Sequence, residues 1–330
     1  MVLTAQDELR HQWDDYYWRE SLYFNFADAQ NELGAWIYLW VLPNQPLKSG
    51  MLVSFYHGLT ERLDANELAM ASLGHLYRGR QGNWVYCYKQ DVPELLASDF
   101  DQVELCGLQL RRSEPLQRYQ LAFEDGRGSW FSLEARFMTR PWDYADGLYP
   151  TPEWVAKNRY HRCWWAKGQL CIAGQLYHID TTGDSDHSWG RRDPRAFARN
   201  NFKMWSFQRP DGSLSVSVIE QGQPGAEAKL GFVALGSDLQ SVAAIAQRSR
   251  YSRRGLQEDI HLQVRDAKGR SLTATMARMF AAIGSRSPSG SWGFEGAGVY
   301  QVQGYGPCTG ISSYFWPREV TPQALREGGG

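Results

Sequence analysis

The chain carries no excess of charge of either sign: 35 Lys and Arg stand against 36 Asp and Glu, a formal net charge of −1 over 330 residues. Without a basic surplus or a long like-charge run, nucleic-acid binding is not expected. No apolar stretch reaches the length that spans a bilayer, and no Lys/Arg-rich amphipathic helix stands out, so stable membrane insertion is not expected either. The opening MVLTAQDELRHQWDD lacks the basic and apolar regions of a signal peptide, and a cytoplasmic location is the expectation. Five cysteines, Cys87, Cys106, Cys163, Cys171 and Cys308, are odd in number, irregularly spaced and without a CxxC pair. That pattern fits buried free thiols better than a disulfide framework or a zinc site. Histidines at HxH or HxxxH spacing and an EF-hand pattern are missing, so no metal is expected. A GxSxG elbow is missing as well. The glycine- and serine-rich stretch 284–298 has no phosphate-loop Lys and no Rossmann context, and it reads as a flexible loop. No cofactor is therefore expected.

What the chain does have is aromatic mass, with 14 Trp and 17 Tyr. Such side chains fill cores or line pockets for lipophilic ligands. Apolar residues alternate with period two over most of the length. In AWIYLWVLP, Trp36, Tyr38 and Trp40 alternate with Ile37, Leu39 and Val41, which predicts a strand buried on both faces. Residues 129–138 and 260–265 alternate apolar with polar, and Asp266 to Gly269 predicts a hairpin turn. Further strands are predicted at 21–26, 50–56, 84–89, 103–110, 117–124, 168–179, 202–208, 214–221, 229–235 and 298–303. Helices are predicted over Ala5 to Trp18 and from Thr321, with Pro322 at its first position, and the segment 61–74 is compatible with helix. Strand signals pause over 141–158, where prolines cluster. The expectation is a mainly β chain of two packed antiparallel barrel or sandwich domains with short terminal helices, 1–158 and 159–330.

Residues 183–193, GDSDHSWGRRD, crowd three carboxylates, a histidine, two arginines and two glycines into eleven positions. An extended backbone puts His187 and Trp189 on one face and Asp186 and Ser188 on the other. The stretch admits two readings. It is a turn with rim salt bridges, bounded by glycines that permit tight bends, or it is an acid/base unit in an apolar pocket. Glu220 ends the apolar stripe Leu214, Val216, Val218 and stands either at a cavity mouth, as a general acid of raised pKa, or in solvent. Of the other histidines, His261 reads as exposed, His11 as part of a charged helix, His57 and His75 as lying near loops, and His161 and His178 as structural interior residues.

The central stretch is similar to the RDHSWG-x-RD signature of bacterial proteins related to carotenoid 1,2-hydratase and of the AttH-like proteins. Glu20 to Phe26, ESLYFNF, and the strand from Gly34 resemble their opening segment. The resemblance implies two packed lipocalin-like β domains around a lipophilic pocket, and in the hydratases a water addition that needs no redox cofactor. His187 and Trp189 match a His-x-Trp unit of those enzymes. Their Tyr-x-Asp unit has no counterpart in LSVSVIE, residues 214–220, and the arginine before Asp-His is Ser185. That leaves Glu220 or Asp186 to supply a carboxylate.

Two functions follow as expectations. One is a hydratase, dehydratase, isomerase or cyclase that protonates a terpenoid-like or other lipophilic substrate from Asp186, His187 or Glu220. Trp36, Tyr38, Trp40, Trp189 and Trp205 would line its pocket, each tryptophan stabilising a carbocation by about 2 kcal/mol when desolvated. The other is a lipophile-binding protein without chemistry.

Overall fold

A computed structural model describes residues 3–11, 14–45, 48–64, 67, 75–223, 225–287 and 290–328. Twelve strands form a first, wholly antiparallel sheet: β1 (Trp18–Asp28), β2 (Leu33–Val41), β3 (Gly50–Leu59), β4 (His75–Arg78), β5 (Trp84–Asp91), β6 (Gln102–Leu105), β7 (Leu108–Glu114), β8 (Arg118–Glu124), β9 (Trp130–Phe137), β10 (Trp142–Asp143), β11 (Asn158–Ile172) and β12 (Gln175–Arg191). Their spatial order is β4-β5-β3-β2-β1-β12-β11-β9-β8-β7-β6, with β10 extending the β9 edge along β11.

Eight further strands follow: β13 (Asn201–Gln208), β14 (Leu214–Gly222), β15 (Ala228–Leu235), β16 (Asp238–Tyr251), β17 (Gln257–Asp266), β18 (Ser271–Arg286), β19 (Trp292–Val302) and β20 (Gly306–Trp316). Each pairs with the next, and β20 pairs back onto β13, so the eight close an antiparallel barrel without a free edge. Among the described residues, no helix is long and apolar enough to cross a membrane.

Three apolar clusters follow from the alternation. Leu22, Phe24, Phe26, Ile37, Leu39 and Phe55 fill the concave side of the first sheet, and Trp205, Phe207, Val216, Val218 and Tyr300 fill the closed barrel. The third joins the outer face of the first sheet, through Tyr56, Cys87, Trp142 and Cys163, to the barrel, through Met204, Ile219, Ala281 and Ile311. A short parallel pairing of Gly58 and Leu59 with Ala281 and Ala282 ties the two sheets together. The aliphatic face of β2 is buried, as the alternation of AWIYLWVLP predicts, while Trp36 and Tyr38 on its aromatic face are only partly buried.

Several local expectations change. The helix expected over Ala5 to Trp18 is a single 3-10 turn, Ala5–Glu8, and Trp18 already belongs to β1. The segment is held by side chains instead of a helical ladder: buried Glu8 accepts from Arg162 Nη1 at 2.6 Å and from the Leu116 amide at 2.7 Å. The other expected helix forms as α2 (Pro322–Gly328), after a four-residue turn α1 (Pro194–Phe197). The strands expected at 103–110 and 168–179 are each split by a two-residue turn, at Cys106-Gly107 and Ala173-Gly174, with φ positive at both positions. Alternation carries straight across such turns, which hides them. The loop expected over 284–298 contains the end of β18 and most of β19. Residues 158–191 pair within the first sheet, so the change of sheet falls at 192–200 and not at residue 158. Most of 61–74, including the expected helix there, lies outside the described residues.

Candidate active site between the sheets

Residues 183–191 of the stretch form the end of β12 and are not a turn: their backbone pairs with β1 on one side and β11 on the other, and Asp193 caps α1. Gly183 sits in mid-strand, where a Cβ would overlap the Asn25 carbonyl, and it leaves room for the Trp164 indole to donate to Asn25 O at 3.0 Å. The strand separates its side chains by face.

The inner face carries His187 and Trp189. His187 is fully buried; its Nε2 donates to Glu20 Oε1 at 2.7 Å, and the Tyr160 hydroxyl is hydrogen-bonded to its Nδ1 at 3.2 Å. His11 stacks flat on Trp189, ring centroids 4.0 Å apart, and its Nδ1 and backbone N–H reach the two oxygens of Glu20. Burial alone would raise the Glu20 carboxyl, but the hydrogen bonds from His11 and His187 outweigh it and hold the group below its usual range.

The outer face carries Asp184 and Asp186 toward the barrel. Asp186 Oδ2 lies 3.1 Å from Arg159 Nε and 3.3 Å from His161 Nε2, while His161 Nδ1 lies 3.3 Å from Asp184 Oδ2. Burial opposes the charge on Asp186, yet Arg159 and His161 hold its pKa down to about 2. His161 shows the converse: burial lowers it, the two aspartates raise it further, and it stands at about 9. An anion this stable is a poor proton donor, so Asp186 does not fit the acid expected of it.

A second polar group faces the same interface from β19. Glu295, expected nowhere in the chain, accepts from Ser313 Oγ at 2.6 Å, Tyr56 OH at 2.8 Å and Tyr23 OH at 3.2 Å. Burial pushes its carboxyl up, the hydrogen bonds from Ser313, Trp36, Tyr56 and Tyr23 offset part of that, and the pKa rests at about 7. Tyr56 reaches it because its register partner is Gly34; a Cβ there would overlap the tyrosine ring. Tyr23, Trp36 and Tyr38 are only partly buried and lie side by side on β1 and β2, an aromatic wall joined to Glu295 through the Tyr23 hydroxyl. Arg19 donates to the Tyr38 hydroxyl at 2.7 Å. Along this wall the buried Arg19 Nε and Arg192 Nε have no hydrogen-bond partner among the described residues.

The remaining expected site residues lie elsewhere. Glu220 ends its stripe at the barrel mouth, half-buried and opposite Lys203, with burial raising its carboxyl. Trp205 lies inside the barrel and donates to Tyr314 OH at 2.9 Å. Trp40 packs at the end of β2, its indole donating to the Lys48 carbonyl at 2.5 Å. The structure therefore brings together Trp36, Tyr38 and Asp186 on the interface, His187 and Trp189 on the opposite face, and Glu220 and Trp205 in the barrel. One pocket holding all of them does not form. Of the remaining histidines, His261 and His178 are exposed, the latter against expectation, because the turn at Ala173-Gly174 sets its face of β12 toward solvent. No sequence motif marked Glu295; a lone Glu between glycines in GFEGAG was the available signal.

A family profile described as "Domain of unknown function (DUF7064)" matches residues 4–306. No significantly similar sequence was found among curated proteins. Among solved structures, the chain is similar to a putative AttH from Nitrosomonas europaea, with 13% identity, 92% of each chain covered and a TM-score of 0.56. It is also similar to CghA solved with Sch210972, with 14% identity, 91% and 88% covered and a TM-score of 0.52. Kievitone hydratase from Nectria haematococca follows at 10% identity, 92% and 90% covered and a TM-score of 0.48. At these identities the first two show a shared fold.

Proposed function

The chain belongs to the DUF7064 family, whose description names no activity, and from the site itself we propose a cofactor-free acid/base enzyme that hydrates, dehydrates, isomerises or cyclises a lipophilic substrate of terpenoid type. The observation that carries this reading is Glu295: a buried carboxyl with a pKa of about 7, beside an aromatic wall that remains partly open. A group that titrates near neutrality both gives and takes a proton readily. The fold accepts a ligand in CghA, solved with Sch210972, which is consistent with a small-molecule substrate here.

In this reading the protonated Glu295 passes its proton through the Tyr23 hydroxyl to an alkene or allylic alcohol lying on Trp36 and Tyr38. The cation formed lies against those aromatic faces, and the Nε–H groups of Arg19 and Arg192 meet the oxygen atoms of the substrate. Water then adds to the cation, or a neighbouring carbon gives up a proton, and in either case the Glu295 carboxylate takes a proton back. Asp186, Arg159 and His161 act as fixed charges that hold β11 against β12.

The test is deuterium incorporation from D2O into a panel of isoprenoid alkenes and allylic alcohols, read by mass spectrometry. Wild-type protein should incorporate label, Glu295→Gln should do so at least ~100-fold more slowly, and the pH profile should lose its limb near pH 7. Equal rates for the two proteins would refute the assignment of Glu295. Co-purified lipids with no exchange on any compound would favour the non-catalytic binding protein instead.

A further inference from the structure

On the face of β12 turned away from Glu295, three side chains from distant parts of the chain converge. His11 Nδ1, Glu20 Oε1 and His187 Nε2 all lie within 4.8 Å of one another. The two imidazole nitrogens approach the same carboxylate oxygen, at 3.0 and 2.7 Å. We propose that this trio binds a divalent transition-metal ion, of which Zn2+ is the best match, and that the ion clasps the N-terminal segment onto the sheet.

The donor set is the first argument. Two imidazoles and one carboxylate form a borderline-soft set that suits zinc and leaves a fourth position free. Bond lengths of about 2.0–2.2 Å to zinc at tetrahedral angles separate the donor atoms by a little over 3 Å, so each of the two His–Glu separations needs to open by only a few tenths of an ångström.

The support around the trio is the second argument. Metal-bound histidines are commonly fixed through their other ring nitrogen. The Tyr160 hydroxyl lies 3.2 Å from His187 Nδ1, and burial keeps that phenol neutral, able to donate to the bare nitrogen or accept from it once Nε2 is taken by the metal. Phe100 packs edge-on against the same imidazole. His11 is held by its stacking on Trp189 and by its own amide, which occupies Glu20 Oε2 and leaves Oε1 to face both rings. His187 is fully buried while the His11 side chain is 26% exposed, so the trio has a rigid floor and a solvent-facing entrance.

The experiment uses the full chain, treated with chelator and titrated with Zn2+ by calorimetry and with Co2+ by visible spectroscopy. One equivalent of Zn2+ should bind saturably and raise the melting temperature, and Co2+ should show the visible absorption of a tetrahedral site. His11→Ala removes a partly exposed side chain and should abolish stoichiometric binding. Tyr160→Phe should weaken it about 10–100-fold, and His261→Ala, at an exposed histidine remote in the fold, should leave it unchanged. Non-saturable uptake, or equal affinity in wild type and His11→Ala with both proteins folded by circular dichroism, overturns the proposal and leaves a hydrogen-bonded clasp.

Discussion

Glu295 and the pair His161–Asp186 are both buried, yet their environments drive them in opposite directions. Glu295 meets only neutral donors, so desolvation prevails and its pKa rises to about 7. Its folded pKa lies above the unfolded value, so the folded state holds the proton more tightly. The stability this brings is present below about pH 4.5 and is lost as pH rises toward 7. Replacing the carboxyl with an amide removes the penalty of ionisation. Glu295→Gln should therefore melt higher than wild type at pH 8, by the equivalent of roughly 3 kcal/mol, and close to wild type at pH 5; equal shifts at both values would disprove a buried, titrating carboxyl. His161 behaves as a cation in contact with two aspartates and stands at about 9. Its contribution is complete below the unfolded value near 6.5 and is lost as pH rises through 9. Wild type should lose stability between pH 7 and 10 while His161→Gln, less stable throughout, should show a flatter profile in denaturant titrations.

Strand β12 shows how one element serves two sites. Period-two alternation sends His187 to the inner face and Asp186 to the outer, so neighbours in sequence cannot act on one substrate atom. A glycine on a neighbouring strand decides where an interface side chain can lie. At Gly34 a Cβ would meet the Tyr56 ring, the ring that supplies the 2.8 Å bond to Glu295. Gly34→Ala should cost about 1–3 kcal/mol by overpacking, and it should also change the activity limb assigned to Glu295. A stability loss with an unaltered pH profile would separate Tyr56 from the carboxyl's function. The alternation of β1, β2 and β14 is readable in the chain. The two-residue turns inside 103–110 and 168–179 are not, because positive φ at Cys106 and Ala173 is not what those residues prefer and pairing in the sheet overrides them.

At the scale of the whole molecule, the closed barrel has its own core and no unpaired edge, whereas β11 and β12 sit in the middle of the first sheet. We propose 192–200 as the boundary between the two units. A fragment of residues 195–330 should show a cooperative thermal transition by circular dichroism. One beginning at 159 should aggregate, since it carries two strands stripped of their partners. Failure of the first fragment to fold would mean that the interface cluster around Tyr56, Trp142 and Ile311 is needed for the barrel itself.

The mainly β architecture, the buried aliphatic face of strand 36–41 and the split of His187 from Asp186 all follow from period two, a local property that a linear chain records. The partners of these residues are another matter. Glu295 looks like a polar residue in a glycine-rich loop until β20 places Ser313 opposite it and β1 and β3 bring two tyrosines. His11 looks like part of a charged helix until it meets Glu20 and Trp189. Desolvation and hydrogen bonding act through space over a few ångströms, and residues 272 positions apart become neighbours only when two sheets pack face to face. The pattern of alternation therefore settled which faces are buried, while packing settled which buried groups titrate, pair or converge.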